Sequence, residues 1–165
     1  MISAIVAVDN NWGIGYNGQL LEHIPDDLKY FKTLTINNIV VMGYKTWESL
    51  PRKPLPNRIN IIISHSHSYN KTIENGTIFS SLSDFITNFN KSDKNIFIIG
   101  GGSIYKQLLP FCQRVYVTKI YKSYENVDTY FPNLDISEDW KPFNCSEIKE
   151  HDTIKYQFWE YDRTN

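Results

Sequence analysis

Cysteine is scarce. Cys112 and Cys145 are the only two in 165 residues, and their spacing fits neither a disulfide framework nor a zinc site. Reduced thiols in a cytoplasmic protein without a metal centre are expected, although a pair between the two stays open. An excess of either charge is missing as well. Seventeen basic residues against 18 acidic ones leave a net charge of −1, which removes any global electrostatic case for nucleic acid or a membrane surface. An anionic ligand must therefore be held by local groups. Internal repeats and low-complexity linkers are absent too. The apolar opening from Met1 to Val8 has no basic flank and stops at Asp9, so it reads as a first strand and not as a signal peptide. With 41% apolar residues the chain can fill one core, and residues 1–165 read as a single domain.

What the chain does have is a buried strand joined to a helix through three consecutive glycines. Ile96, Phe97, Ile98 and Ile99 form an apolar run of the kind covered on both faces, which points to a parallel sheet. After Gly100, Gly101 and Gly102, the stretch from Ser103 to Leu109 carries apolar residues at helical spacing and stops at Pro110. Glycine at such a turn lets a ligand approach the backbone amides, and pyrophosphate is the obvious candidate. The pattern is neither the G-x-G-x-x-G fingerprint nor a P-loop.

Other strands are expected from Ile2 to Val8, Asn38 to Gly43, Ile59 to Ile63, Thr77 to Phe79 and Arg114 to Ile120, with a C-terminal hairpin turning at His151 and Asp152. Asp9 to Gly18 and Asp128 to Pro132 read as loops. A helix opens at Pro25, which suits a first helical position, and Asp26 reads as a partly exposed first-turn cap. Asp27 differs. It shares a stripe with Tyr30, Phe31 and Leu34 at i, i+3, i+4 and i+7, so one carboxylate points inward and needs a partner, a proton or a polar ligand. Arg58 directly precedes a strand, so its guanidinium is either anchored as carboxylate recognition would require or belongs to an ordinary surface arginine. Ser64, His65 and Ser66 follow that strand at its carboxyl end, where they could meet a phosphate or form a plain polar loop.

The order and spacing of these residues resemble a bacterial-type dihydrofolate reductase over nearly the whole chain. The resemblance rests on Ile5 and Ala7, Trp12-Gly13-Ile14-Gly15, Pro25-x-Asp27 leading to Phe31, Val41-Met42-Gly43 with Thr46-Trp47-Glu48-Ser49, and Pro54-Leu55-Pro56-Asn57-Arg58. It continues through Ile99-Gly100-Gly101-Gly102-x-x-Tyr105, Thr118, and Asp128-Thr129-x-Phe131-Pro132. It implies a single α/β domain with a mainly parallel eight-stranded sheet, flanking helices and an antiparallel C-terminal strand. The implied activity is NADPH-dependent reduction of dihydrofolate, by a cytoplasmic monomer that also takes folate-analogue inhibitors. A weakly active or inactive binding relative, or a reductase of another pterin or a pyrimidine precursor, remains open at this point.

The resemblance also implies roles. Asp27, Thr118 and Tyr105 would serve catalysis, with Asp27 orienting the pterin and raising the basicity of the ring nitrogen that a water protonates. Ile5, Ala7, Leu28, Phe31, Leu50, Ile99 and Thr118 would line the substrate pocket, and Arg58 would grip the glutamate α-carboxylate. Gly100, Gly101, Gly102, Ser103 and Ile104 would meet the cofactor at one turn, with Gly43, Tyr44, Lys45 and Thr46 opposite. Ala7, Ile14, Gly15, Ile99 and Tyr105 would border the nicotinamide side, and Ser64, His65 and Ser66 the far phosphate. Three positions depart from the family pattern. Leu21-Glu22 replaces Pro-Trp, Tyr44 replaces an arginine, and Ser103 stands where a basic residue is common, leaving Lys45 and His65 as phosphate partners. Glu22 could face solvent or turn inward and couple to Asp27. The outward placement is expected, because an inward one needs a proton or a cation.

Overall fold

A computed structural model of the chain describes residues 1–65, 72–73, 76–89 and 92–164. In chain order the elements are β1 (Ile2–Val8), β2 (Gly13–Tyr16), β3 (Gln19–Leu20), α1 (Pro25–Thr35), β4 (Ile39–Gly43), α2 (Tyr44–Ser49), β5 (Ile59–Ile63), β6 (Thr72–Ile73) and β7 (Gly76–Phe79). They continue with α3 (Leu82–Phe89), β8 (Ile96–Gly100), α4 (Gly102–Leu108), β9 (Arg114–Ile120), β10 (Thr129–Tyr130), β11 (Trp140–Cys145), β12 (Lys149–His151) and β13 (Ile154–Arg163).

The main sheet runs β11-β13-β9-β1-β8-β4-β5-β7-β6, with β12 also paired to β13. Every pairing from β9 to β7 is parallel, and β13 closes the series antiparallel to β9. The expected eight strands are thus present, and the short strands β6 and β12 extend the sheet to ten. Continuous apolar runs occupy its centre because helices cover both faces there. Ile39, Val40, Val41 and Met42 are all at most 1% exposed. On one face Phe85 of α3 and Ile104 and Leu108 of α4 pack against Ala4, Val6, Ile98 and Val117. On the other, Phe31 and Leu34 of α1 and Trp47 of α2 pack against Ile5, Val40, Met42 and Phe97.

Two stretches read as loops carry a second, three-stranded sheet in the order β10-β2-β3. Glycine weakens intrinsic strand preference, so Gly13 and Gly15 hide a strand whose pairing is set by tertiary contacts. Gly15 pairs with Thr129 and with Leu20. Gly13 is required by space, since a Cβ there would lie 2.7 Å from Val127 Cγ1. At the other end of the chain, Asp152 and Thr153 take positive φ values of 46° and 69° and turn β12 back into β13. Both cysteines are free. Cys112 is buried, which pushes its thiol up to about 12, and Cys145 is exposed. No described helix is long and apolar enough to cross a membrane.

Phe85 is 1% exposed and stacks on Phe89 at 5.4 Å, on the face away from Asp27. Phe85→Ala is expected to cost about 3 to 5 kcal/mol of stability through lost burial and a cavity. Urea unfolding would read this as a lower midpoint, with activity per folded molecule unchanged.

Candidate active site

Parallel strands deliver their carboxyl ends to one edge, and β8 lies between β1 and β4 there. The register of β4 against β8 slips at that edge. Val41 faces Ile98 but Met42 faces Gly100, so Ile99 is skipped in the ladder and stays half-buried beside Phe31 and Leu50. Ile5 of β1 belongs to the same cluster. Four of the expected substrate walls are therefore brought together. Leu28, next to Asp27 in α1, is not part of that cluster and has 46% of its surface exposed. Ala7 lies opposite Thr118 in the β1–β9 register and packs with Ile24 and Tyr124.

Asp27 stands in the first turn of α1, half-buried, and its Oδ1 accepts a hydrogen bond from Thr118 Oγ1 at 2.6 Å. Burial raises its pKa above the ordinary carboxylate value, the Thr118 hydroxyl pulls the other way, and the neighbouring Asp26 adds a smaller rise. The stripe that carries it docks as the spacing requires, with Tyr30 stacked on Phe158 at 4.1 Å. Asp26 is the partly exposed first-turn carboxylate expected, and it is also paired. It is half-buried, accepts from Tyr156 Oη at 2.9 Å and lies 4.0 Å from Lys149 Nζ. The β12–β13 hairpin supplies both partners, from about 120 to 130 residues away in sequence.

Arg58 is half-buried and held in one orientation. Its Nε donates to the Pro56 carbonyl at 3.0 Å and its Nη1 to Thr35 Oγ1 at 3.1 Å, while Phe31 lies under the guanidinium at 5.8 Å. Thr35, at the end of α1, had no sequence signal for this task. Arg58 also lines a cavity of about 410 Å³ with Arg52 and the prolines Pro54 and Pro56. Partial burial lowers the Arg58 pKa, so a bound carboxylate would offset the desolvation of its charge.

Across the same edge, the turn after β8 meets the turn after β4. Gly100 has φ of +123°, a conformation that favours glycine, and a Cβ there would touch the Tyr105 ring at 3.4 Å. A Cβ on Gly43 would lie 3.1 Å from Ile104 Cγ1, and one on Gly101 3.5 Å from Thr46 Oγ1. Neither Gly43 nor Gly101, the residues that start α2 and α4, gives a side-chain cap. A Cβ on Gly102 would reach Thr129 Cγ2 at 2.7 Å, which ties this turn to β10. Tyr105 is buried and donates from Oη to the Ile5 carbonyl at 2.6 Å. Burial and the Asp27 charge both push its phenol up, so it keeps its proton. Ile14 is buried with Tyr105 and Ile104, and Gly15 is half-buried. Lys45, His65 and Ser103 are exposed, Tyr44 is half-buried and Ser64 is buried. Ser103 Oγ accepts from Gln107 at 2.9 Å. Ser66 lies outside the described residues.

The segment between β1 and α1 is clamped by Asp9, a residue with no sequence signal. It is buried, and its Oδ1 accepts from the amides of Asn11 at 2.9 Å and Gly13 at 2.8 Å. Farther along, the Asn17 amide donates to Asp128 Oδ2 at 2.9 Å. Glu22 takes neither of the two placements considered for it. It is half-buried, and its Oε2 accepts from Tyr124 Oη at 2.8 Å.

The raised pKa of Asp27 fixes the sign of a stability effect. The folded carboxyl keeps its proton to a higher pH than the unfolded one, so stability falls as pH rises from about 4 through the folded value. Asp27→Asn is therefore expected to unfold at a higher urea concentration than wild type at pH 7. The advantage should shrink as pH falls through the raised folded value and be gone at about pH 4. A variant less stable than wild type at pH 7 would contradict this assignment of burial.

A family model described as dihydrofolate reductase matches residues 1–163. The dihydrofolate reductase of Bacillus subtilis (strain 168) is 37% identical over 167 residues, which cover 100% of this chain and 96% of that protein. The bifunctional dihydrofolate reductase-thymidylate synthase of Glycine max is 36% identical over 176 residues, covering 96% of this chain but only 33% of the plant protein. The chain thus spans a third of the length of that relative. Among solved structures, dihydrofolate reductase from Enterococcus faecalis complexed with NADP(H) and RAB-propyl superposes with a TM-score of 0.88 at 32% identity. The match covers 100% of this chain and 97% of the other. With a family match over residues 1–163 and a bacterial relative alike along its whole length, the chain belongs to the dihydrofolate reductase family.

Proposed function

We propose that this chain reduces 7,8-dihydrofolate to 5,6,7,8-tetrahydrofolate with NADPH. The observation that carries the reading is the half-buried Asp27 carboxylate, held by Thr118 at 2.6 Å beside the walls formed by Ile5, Phe31, Leu50 and Ile99. Such a carboxylate, with an apolar cluster next to it, suits a flat heterocycle that presents N–H donors along one edge. Asp27 accepts those donors, and Thr118 fixes the carboxylate plane. Its negative charge raises the basicity of the ring nitrogen, which solvent water then protonates. Arg58, on the same face and braced by Pro56 and Thr35, takes the α-carboxylate of the glutamate tail.

A dinucleotide fits the opposite turns because backbone free of side chains faces a hydroxyl there. Gly43, Gly100, Gly101, Gly102 and Thr46 would hold its pyrophosphate, and Ala7, Ile14 and Tyr105 would border its nicotinamide. When bound, NADPH supplies the hydride. Tyr105 keeps its proton and braces β1 through the Ile5 carbonyl, which holds the floor between the two rings. Lys45, Ser64, His65 and Ser66 are the candidates for the 2′-phosphate, while Tyr44 belongs with the turn after β4 and Ser103 and Ile104 with the turn after β8. Cytoplasmic residence, supported by two free cysteines, and a monomeric state complete the reading.

Loss of NADPH absorbance on mixing with dihydrofolate tests the activity directly. Asp27→Asn is expected to lower kcat/KM about 10² to 10⁴-fold while leaving far-ultraviolet circular dichroism unchanged. An unaltered rate would remove Asp27 from the chemistry. Arg58→Leu is expected to raise KM for dihydrofolate on the order of 10 to 100-fold, from the loss of charge-assisted hydrogen bonds. Binding of NADPH should stay the same, and an equal loss there would misplace the arginine.

A further inference from the structure

Glu22 is the residue that departs most from the family pattern, and its partner explains how the fold accommodates it. Tyr124 belongs to the connection between β9 and β10, and it touches both ends of the segment that links β1 to α1. Its backbone N–H donates to Asp9 Oδ2 at 3.3 Å, and its Oη donates to Glu22 Oε2 at 2.8 Å. Its ring packs into the cluster of Ile24, Ile120 and Tyr156 that seats the start of α1. Asp9 in turn holds the amides of Asn11 and Gly13. One residue thus fixes the beginning and the end of the same segment, through its backbone amide and its phenol.

We propose that Tyr124 is a positioning residue that holds the Glu22 carboxylate away from Asp27, so that the pterin pocket keeps a single ionising carboxylate. The inference rests on the proposed reduction of dihydrofolate. Glu22 stands five residues before Asp27, and a phenol O–H gives its charge a strong, directed partner. The phenol keeps its proton, because burial and the neighbouring Glu22 charge both oppose its ionisation. Glu22 consequently stays the acceptor. The like charge that acts on Asp27 comes from Asp26 on the same helix, which the β12–β13 hairpin restrains through Tyr156 and Lys149.

Among the described residues, the other groups around this junction leave Glu22 no second strong partner of comparable placement. Asp9 is occupied by backbone amides, and Lys122 lies over the Tyr124 ring at 4.8 Å. His23 is exposed beside Glu22. Facing Asp27 are Thr118 from β9, which donates to it, and the buried phenol of Tyr105 from α4; Tyr30, on its own helix, is stacked on Phe158. On this proposal a Glu22 released from Tyr124 is free to turn toward Asp27, five residues along the chain, where like charges would raise the apparent pKa of the pair.

The test is the pH profile of kcat/KM for dihydrofolate in wild type, Tyr124→Phe, Glu22→Gln and the double variant, each first checked for a native circular dichroism spectrum. Tyr124→Phe is expected to raise the apparent pKa by about one unit. The double variant should return it to the wild-type value, because no charge is left to release. Glu22→Gln alone keeps an acceptor for Tyr124 and should leave the midpoint in place. It decides the matter even where Tyr124→Phe does not fold. A fall of a unit or more in Glu22→Gln would overturn the proposal, as would an unshifted Tyr124→Phe or a shift that persists in the double variant. Failure of wild type to oxidise NADPH with dihydrofolate would instead overturn the underlying function.

Discussion

A carboxylate seated beside an apolar cluster and held by one hydroxyl is the constraint on which this site depends. Asp27 can stay there only because β9 and α1 meet at the right register. Alternation along β9 sends Thr118 toward α1 and Lys119 to the opposite face, where Asp135 at 2.9 Å and the rings of Trp12, Trp159 and Tyr161 enclose it. A one-residue slip would exchange the two and place an ammonium where the hydroxyl belongs. The register is locked from both sides, with β1 parallel and β13 antiparallel to β9. Helix α1 is locked in turn by Tyr30 on Phe158 and by Asp26 on Tyr156.

The segment after β1 shows how such a site tolerates a large change nearby. An aromatic side chain at position 22 would contribute surface, whereas a carboxylate contributes charge that has to go somewhere. Tyr124 gives it a hydrogen-bond partner from a connection already tied to Asp9. The change is therefore absorbed by an added hydrogen bond and leaves α1 where the fold places it.

Much of this was legible in the sequence, and the reason is local. The limits of β1, β5 and β9 follow from apolar and β-branched runs that stop at polar residues, and Pro25 marks the start of α1. The inward direction of Asp27 follows from helical periodicity alone. The glycine turn announced itself because three glycines have no other common use between a buried strand and a helix. What stayed hidden depended on distance along the chain. Gly13 and Gly15 do not look like a strand until Thr129 and Tyr130 arrive beside them. Tyr156 completes Asp26 from 130 residues away, and Tyr124 completes Glu22 from 102. No periodicity links such pairs. Thr35 escaped notice for a different reason, since a threonine ending a helix is ordinary until an arginine from the next loop folds back onto it.

The most direct measurement of the central claim is the titration of Asp27 itself, followed by nuclear magnetic resonance of carboxyl-labelled aspartate in the ligand-free protein, with Asp27→Asn to assign the signal. A half-buried carboxylate beside an apolar cluster is predicted to titrate above the ordinary value of about 3.9, and Thr118→Val should raise the midpoint further by removing the hydroxyl that favours the charged form. A midpoint at or below the ordinary value, unmoved by loss of Thr118, would contradict the account.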